Sequence, residues 1–292
     1  MAPDHDPLDV VKLRSLMDRT SGRAEVKVGV IDGPVIVDHP DLESARIEEW
    51  PAAVRAESAP SDRDARVHGT FVTGILAARR GSHAPAICPG CTILVHPIFG
   101  GSSSGTKARP SATPQVLATT IRDCVDAGAR VVNLSLALEG GSAGGNAQLM
   151  EALRYAARRG VLVVAAAGNE GTLRSSTITG HPWVISVAAC DGRGRPLSIS
   201  NLGRSIGSRG VAAPGDAITS LGPEGRPLSL GGTSAAAPFV TGAIALLASE
   251  FPMASPAEIR LAVTRASAAR CHAVVPPLLD AEAAYQMLAR RG

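Results

Sequence analysis

Aromatic residues are scarce in this chain, with only 2 Trp, 2 Tyr and 4 Phe among 292 residues. So few rings offer no stacking platform for bases, and a net charge of only +3, spread along the chain, leaves no basic footprint for nucleic acid. No apolar run reaches membrane-spanning length, and the start, Met-Ala-Pro-Asp-His-Asp-Pro, lacks the basic and apolar regions of a secretory signal. The expectation is a cytoplasmic protein with neither a nucleic-acid nor a membrane partner; nothing in the sequence sets its oligomeric state. Cysteine is sparse too, and odd in number. Cys88, Cys91, Cys124, Cys190 and Cys271 cannot all pair, which suits a reducing compartment. Cys88-Pro89-Gly90-Cys91 has no second pair to complete a zinc site and no thioredoxin-like setting, so it reads as structural thiols or a local disulfide.

What the chain does have is an alternation of Val- and Ile-rich runs with longer helical patterns. Val26 to Ile31, Thr92 to Phe99, Arg130 to Leu136, Val161 to Ala166 and Trp183 to Ala188 read as buried parallel strands. His68 to Arg79, Thr113 to Ala127 and Asn146 to Arg159 carry helical spacing, the last two stopped by Gly128 and Gly160. Ala235 to Ala248 is apolar almost throughout and so belongs in the core, and Pro256 to Ser267 and Leu279 to Arg290 add two more helices. The fold class is α/β: a mostly parallel central sheet with helices on both faces. Residues 1–25 read as an arm or short helix and residues 26–292 as one domain. Gly100 to Gly105 and Gly140 to Gly145 are the clearest loops.

In such a sheet, sites gather at the carboxyl ends of strands. A phosphate loop at Gly100 to Lys107 fails, because Thr106 precedes Lys107 and Pro110 interrupts any receiving helix. Gly231-Gly232-Thr233-Ser234-Ala235-Ala236-Ala237-Pro238 is more informative. It holds one hydroxyl between a glycine turn and a buried helix, with Pro238 expected in the first turn. A helix cap is the competing reading. Asp32 ends the first strand, His68 opens the next helix, and Asn169 follows the strand Val161 to Ala166 in Ala167-Gly168-Asn169-Glu170-Gly171. Singly these are a turn former, a polar cap and a turn residue. Together they supply a nucleophile, a base, its orienter and an amide donor for an oxyanion.

The motifs carrying these residues resemble the subtilases, the subtilisin-like serine proteases. They are Val-Gly-Val-Ile-Asp-Gly-Pro around Asp32, His-Gly-Thr-Phe-Val-Thr-Gly from His68, Ala-Ala-Ala-Gly-Asn-Glu-Gly around Asn169 and Gly-Thr-Ser-Ala-Ala-Ala-Pro around Ser234. The resemblance runs from about Val26 to Leu288. It implies the subtilisin-like three-layer fold and a serine endopeptidase in which Asp32, His68 and Ser234 form the triad and Asn169 serves the oxyanion. It also implies that substrate lies extended between Ser135-Leu136-Ala137 and a loop around Ser104 and Gly105, with Ala166 and Gly168 on the floor of the primary specificity pocket.

Several departures refine the expectation. Gly33-Pro34 replaces the usual hydroxyl residue and glycine after the catalytic Asp. With Asp38-His39-Pro40, this start is similar to the cyanobactin-maturation (patellamide-type) proteases. Ala137-Leu138 replaces a usual Gly-Gly at the pocket entrance. The stretch from Leu76 to Ile93 is shorter than in calcium-binding relatives and carries no Asp, Glu or Asn, so no metal of the family's tightest type and no cofactor are expected. The partner is a peptide or protein substrate, with a dedicated precursor peptide favoured. A general degradative subtilase, a non-catalytic peptide-binding pseudoprotease and a thiol redox protein using Cys88 and Cys91 are the rivals. Glu170 would favour a basic residue at the cleavage position by charge.

Overall fold

Seven parallel strands make the central sheet, and all but the polar edge strand are short runs that the sequence makes apolar on both faces. The computed structural model describes residues 6–50, 61–98, 111–135, 137–138, 143–265 and 274–290. In chain order the strands are β1 (Lys27–Asp32), β2 (Arg46–Glu49), β3 (Thr92–Pro97), the two-residue β4 (Ser111–Ala112), β5 (Ala129–Leu134), the two-residue β6 (Ala137–Leu138), β7 (Leu162–Ala166), β8 (Val184–Cys190), β9 (Val211–Pro214), β10 (Ile218–Leu221) and β11 (Pro227–Leu230). The main sheet runs β2-β3-β1-β5-β7-β8-β9, while β4 pairs with β6 and β10 with β11. The helices are α1 (Pro7–Val10), α2 (Leu13–Arg19), α3 (Ser61–Ala77), α4 (Pro114–Asp126), α5 (Ala143–Arg158), α6 (Thr177–Gly180), α7 (Arg204–Arg209), α8 (Thr233–Glu250), α9 (Pro256–Arg265) and α10 (Ala281–Ala289).

The period-2 alternation of each strand sends its side chains to two cores. Val28 and Val30 of β1 and Val131 of β5 meet Phe71, Val72 and Ile75 of α3 and the apolar length of α8. Ile31, Val132 and Leu134 point the other way, onto Leu117 and Ile121 of α4 and Leu149 and Leu153 of α5. Three layers result, as the sequence leads one to expect. Local signals set the helix ends: Thr113 caps α4 by accepting from the Val116 N–H with Pro114 just inside, and Gly128, at φ 84°, follows its last turn. Apart from the start of α3, the strand and helix spans agree with the periodicity to within a few residues. The polar β2 and the short β9, β10, β11, α6 and α7 lie outside that pattern. Of the expected loop at residues 140–145, residues 143–145 open α5 and the remainder lies outside the described residues, as does the loop at 100–105.

Two expectations are corrected. His68 does not open a helix: α3 begins at Ser61, where Ser and Asp are good starters, so His68 is its eighth residue. Pro238 is not in the first turn either. With Gly232 as N-cap and Thr233 as the first helical residue, Pro238 lies inside α8, and Ser234 is no cap.

The N-terminal arm docks firmly. Leu8, Val11, Leu13, Leu16 and Met17 are buried. Lys12 pairs with Asp280 at 2.6 Å, and Ser15 donates to Glu282 at 2.6 Å. The Arg80 guanidinium then ties the arm to the loop after α3, donating to the carbonyls of Met17 (2.6 Å), Thr20 (2.8 Å) and Ile87 (3.3 Å). Hydrogen bonds from a charged donor are among the stronger ones, tempered here by solvent at the guanidinium. Arg80→Met should cost about 2 kcal/mol. In a chain of this length that lowers the thermal midpoint by roughly 4 °C, readable by calorimetry; an unchanged midpoint would show that the clamp contributes nothing.

Candidate active site

Neighbouring strands β1, β5 and β7 bring their carboxyl ends to one edge, and the N-terminus of α8 arrives on that edge. Asp32 is the last residue of β1 and is fully buried. Its Oδ1 accepts from His68 Nδ1 at 2.7 Å and from the Gly33 N–H at 2.6 Å. Because the carboxylate can only accept, His68 carries its proton on Nδ1 when neutral, which leaves the Nε2 lone pair free. Burial is the largest influence on the imidazole and acts to lower its pKa; the Asp32 charge and hydrogen bond oppose it and leave the pKa raised above the ordinary value.

Gly33 is required by close packing. A Cβ there would fall 1.9 Å from the Ala65 carbonyl oxygen, in the turn of α3 that precedes His68. The early start of α3 and the missing hydroxyl after Asp32 are thus one feature. Asp32 Oδ2, buried, has no hydrogen-bond partner among the described residues.

Ser234 is half-buried at the second position of α8, its Oγ directed at the Ser135 carbonyl oxygen at 3.5 Å. Its own N–H makes no hydrogen bond among the described residues, as expected in a first helical turn. Gly232 adopts φ 106°, and a Cβ there would lie 2.9 Å from Asn169 Oδ1, so glycine allows both the turn and the approach. Asn169, past the end of β7, accepts at Oδ1 from the Thr233 N–H (2.9 Å) and the Thr233 hydroxyl (3.1 Å). With Oδ1 so held, its Nδ2 is left as the donor. Thr233 Oγ1 also accepts from the Gly168 N–H at 3.2 Å, tying the loop after β7 to α8.

Residues 23–287 match the family described as Subtilase. The chain belongs to the subtilase family. Subtilisin DY from Bacillus licheniformis is 33% identical to it over 242 residues, covering 81% of this chain and 81% of the relative. Among solved structures, a Ser-to-Ala mutant of the PatA protease domain is 32% identical with a TM-score of 0.80, covering 93% of this chain and 98% of that one. The prenylagaramide maturation protease PagA is 26% identical with a TM-score of 0.80, covering 94% and 98%. The protein is a subtilisin-like serine endopeptidase.

Other expected residues of this subtilase fall as follows. Ser135 lies one residue past β5 and touches Ser234. Ala137 is in β6, paired in parallel register with Ser111 of β4. Ala166 ends β7 half-buried, and Gly168 adopts φ 102° two residues on. Leu136, Ser104 and Gly105 lie outside the described residues. Glu170 Oε2 is bonded by Asn201 Nδ2, and Asn201 Oδ1 accepts from the N–H groups of Glu170 (3.2 Å) and Thr172 (3.0 Å). Asn201 therefore holds the loop that carries Asn169. The sequence reading gave no role to Thr233 or Asn201. Thr233 was visible inside the Gly-Thr-Ser motif, whereas nothing local marks Asn201.

Cys88 and Cys91 are free, fully buried thiols, so of the two structural readings it is thiols and not a disulfide. Their mutual S–H···S bond raises the pKa of Cys88 and lowers that of Cys91. Cys124 and Cys190 are also free and buried, and Cys271 lies outside the described residues. Asp41 accepts from Arg79 at 2.9 Å. Among the described residues there is no group of three or more His, Cys, Asp or Glu that could hold a metal ion, and no helix is long and apolar enough to cross a membrane.

Proposed function

We propose that Asp32, His68 and Ser234 act as the catalytic triad of this endopeptidase, with Asn169 Nδ2 and the Ser234 N–H as the oxyanion hole. The observation that carries this reading is the 2.7 Å bond that His68 Nδ1 donates to the buried Asp32 carboxylate, which sets the imidazole tautomer a base needs. The hydroxyl of Ser234 is held at only 3.5 Å in the free enzyme, so turning it toward His68 Nε2 forfeits little. Oγ then attacks the peptide carbonyl as His68 takes its proton. Asp32 stabilises the imidazolium, which next protonates the leaving amine. Water, activated by His68, hydrolyses the acyl-enzyme; an amine reaching it first would form a new peptide bond instead.

The substrate we propose is a precursor peptide that this protease matures in the cytoplasm. It would bind extended along Ser135-Leu136-Ala137 and the loop at Ser104 and Gly105, with Ala166 and Gly168 beneath its primary side chain. Residues 26–292 would form the peptidase domain, with residues 1–25 as a docked arm. Support for maturation comes from likeness to PatA and PagA, described as patellamide and prenylagaramide maturation proteases. Mass spectrometry of products from a diverse peptide library, with Ser234→Ala as control, tests this reading. A narrow cleavage motif is expected, and a flat profile would favour general degradation. Cyclic products would reveal aminolysis.

Asn169→Ala is expected to lower kcat by about 10²–10³ with KM nearly unchanged, roughly 2.7–4 kcal/mol, the size of effect known for the corresponding amide donor of subtilisin. Steady-state kinetics on a chromogenic peptide would read it. A loss confined to KM would place Asn169 in substrate binding instead.

A further inference from the structure

The carbonyl of Ser234, second residue of α8, would ordinarily accept from the N–H four residues on. That residue is Pro238, which has no N–H. Ser135 fills the gap from outside the helix, its Oγ donating to the Ser234 carbonyl oxygen at 3.2 Å. Behind it, Asn133 Nδ2 donates to Ser135 Oγ at 2.8 Å, and Thr241 Oγ1 donates to Asn133 Oδ1 at 2.8 Å. Thr241 and Asn133 are fully buried and Ser135 is 3% exposed, so water does not substitute for any link.

We infer that Thr241 is a positioning residue for Ser234, acting through Asn133 and Ser135 to pin the first turn of α8. The inference rests on the proposed reading of Ser234 as nucleophile. The logic is one of proton counting. Ser135 has a single hydroxyl proton; given to the Ser234 carbonyl, it leaves Ser135 able only to accept. Asn133 must then turn Nδ2 toward Ser135 and Oδ1 toward α8, where a buried oxygen needs a donor. Thr241 is that donor. With valine at 241 the amide either keeps an unsatisfied Oδ1 or flips, and a flipped amide draws the Ser135 proton to itself and away from Ser234. Either outcome loosens the turn that sets both the Ser234 Oγ and the Ser234 N–H.

The test compares wild type, Thr241→Val and Thr241→Ser on a chromogenic peptide amide. Thr241→Val should lower kcat about tenfold, within what a small misplacement of a reacting group costs, while KM stays within about twofold. Thr241→Ser keeps the hydroxyl and should restore kcat to within about twofold of wild type. A valine variant with wild-type kcat overturns the inference. So does an equal loss in both variants, which would mark the lost methyl, not the hydroxyl. Ser135→Ala should reproduce the loss, and combining it with Thr241→Val should add little, because both break one chain; fully additive losses overturn the inference. If Thr241→Val does not fold, Ser135→Ala carries the test, and an unchanged kcat is then the negative result. Fluorophosphonate labelling of the wild type separates the two levels: no adduct on Ser234 defeats the nucleophile reading itself, whereas an adduct formed equally fast in Thr241→Val defeats only the inference.

Discussion

Replacing Ser234 with alanine should lower kcat by about 10⁶-fold, the scale on which subtilisin loses activity when its nucleophile is removed. The fold should survive. Only Oγ is deleted, and it makes a single long contact with the Ser135 carbonyl at 3.5 Å. The elements around it are held by other groups: Thr233 bonds to Asn169 at 2.9 and 3.1 Å, and Ser135 donates to the Ser234 main chain at 3.2 Å. A thermal midpoint within a degree or two of wild type should therefore accompany the loss of activity. With a fluorophosphonate probe, the wild type should take one adduct, on Ser234; Ser234→Ala should take none, and His68→Ala much less. A wild type that folds and binds peptide but takes no label would be a pseudoprotease. Residual peptide cleavage in Ser234→Ala near the wild-type rate would move the chemistry elsewhere.

Asp32→Asn should lower kcat, though by less than the about 10⁴ that the same change costs a serine-protease triad whose imidazole then takes the wrong tautomer. In this chain the Gly33 N–H, 2.6 Å from Oδ1, favours an oxygen in that place, so the carboxamide is expected to keep accepting from His68. The loss is then mainly electrostatic, because the imidazolium formed during attack no longer faces a negative charge. The pH profile follows with a definite sign. In the wild type, burial lowers the His68 pKa, but the Asp32 charge and hydrogen bond outweigh it and leave a net rise. Catalysis needs the neutral base, so kcat/KM should climb with pH through that raised value. Removing the carboxylate charge deletes the raising influence and leaves the burial that lowers it. The acidic limb of the variant must therefore shift toward lower pH even as the plateau falls. A limb that stays in place or moves up would show that Asp32 does not set the protonation of His68.

The fold and the four polar residues of the site were legible because each depends on short-range pattern. Val28 to Ile31 and Leu162 to Ala165 are short, Val-rich apolar runs that suit strands buried on both faces, and the strands so read proved to be β1, β3, β5, β7 and β8. The short motifs around Asp32, His68, Asn169 and Ser234 carried the proposed chemistry and the family likeness. What stayed hidden depended on distance along the chain or on competition between weak signals. The polar start of α3 carries little apolar periodicity, so the helix was read from His68 onward and Gly33 was read only as a departure from the usual pattern after the Asp. The carbonyl of Ala65 against Gly33 supplies the cause, and only packing could reveal it.

Thus the sequence by itself determined the class of fold, the order of its layers and which side chains can act as nucleophile, base, orienter and amide donor, since residue type and spacing are local properties of a chain. Tertiary structure alone decided which of those groups are held, and by what. Pro238 read locally is a harmless first-turn residue; in the folded chain it leaves the Ser234 carbonyl without a helical partner, and Ser135, 99 positions away, supplies one. Thr241 and Asn133, 108 positions apart, meet beneath them. Such hydrogen bonds leave no period in the sequence, because their partners become neighbours only once the sheet and α8 have packed.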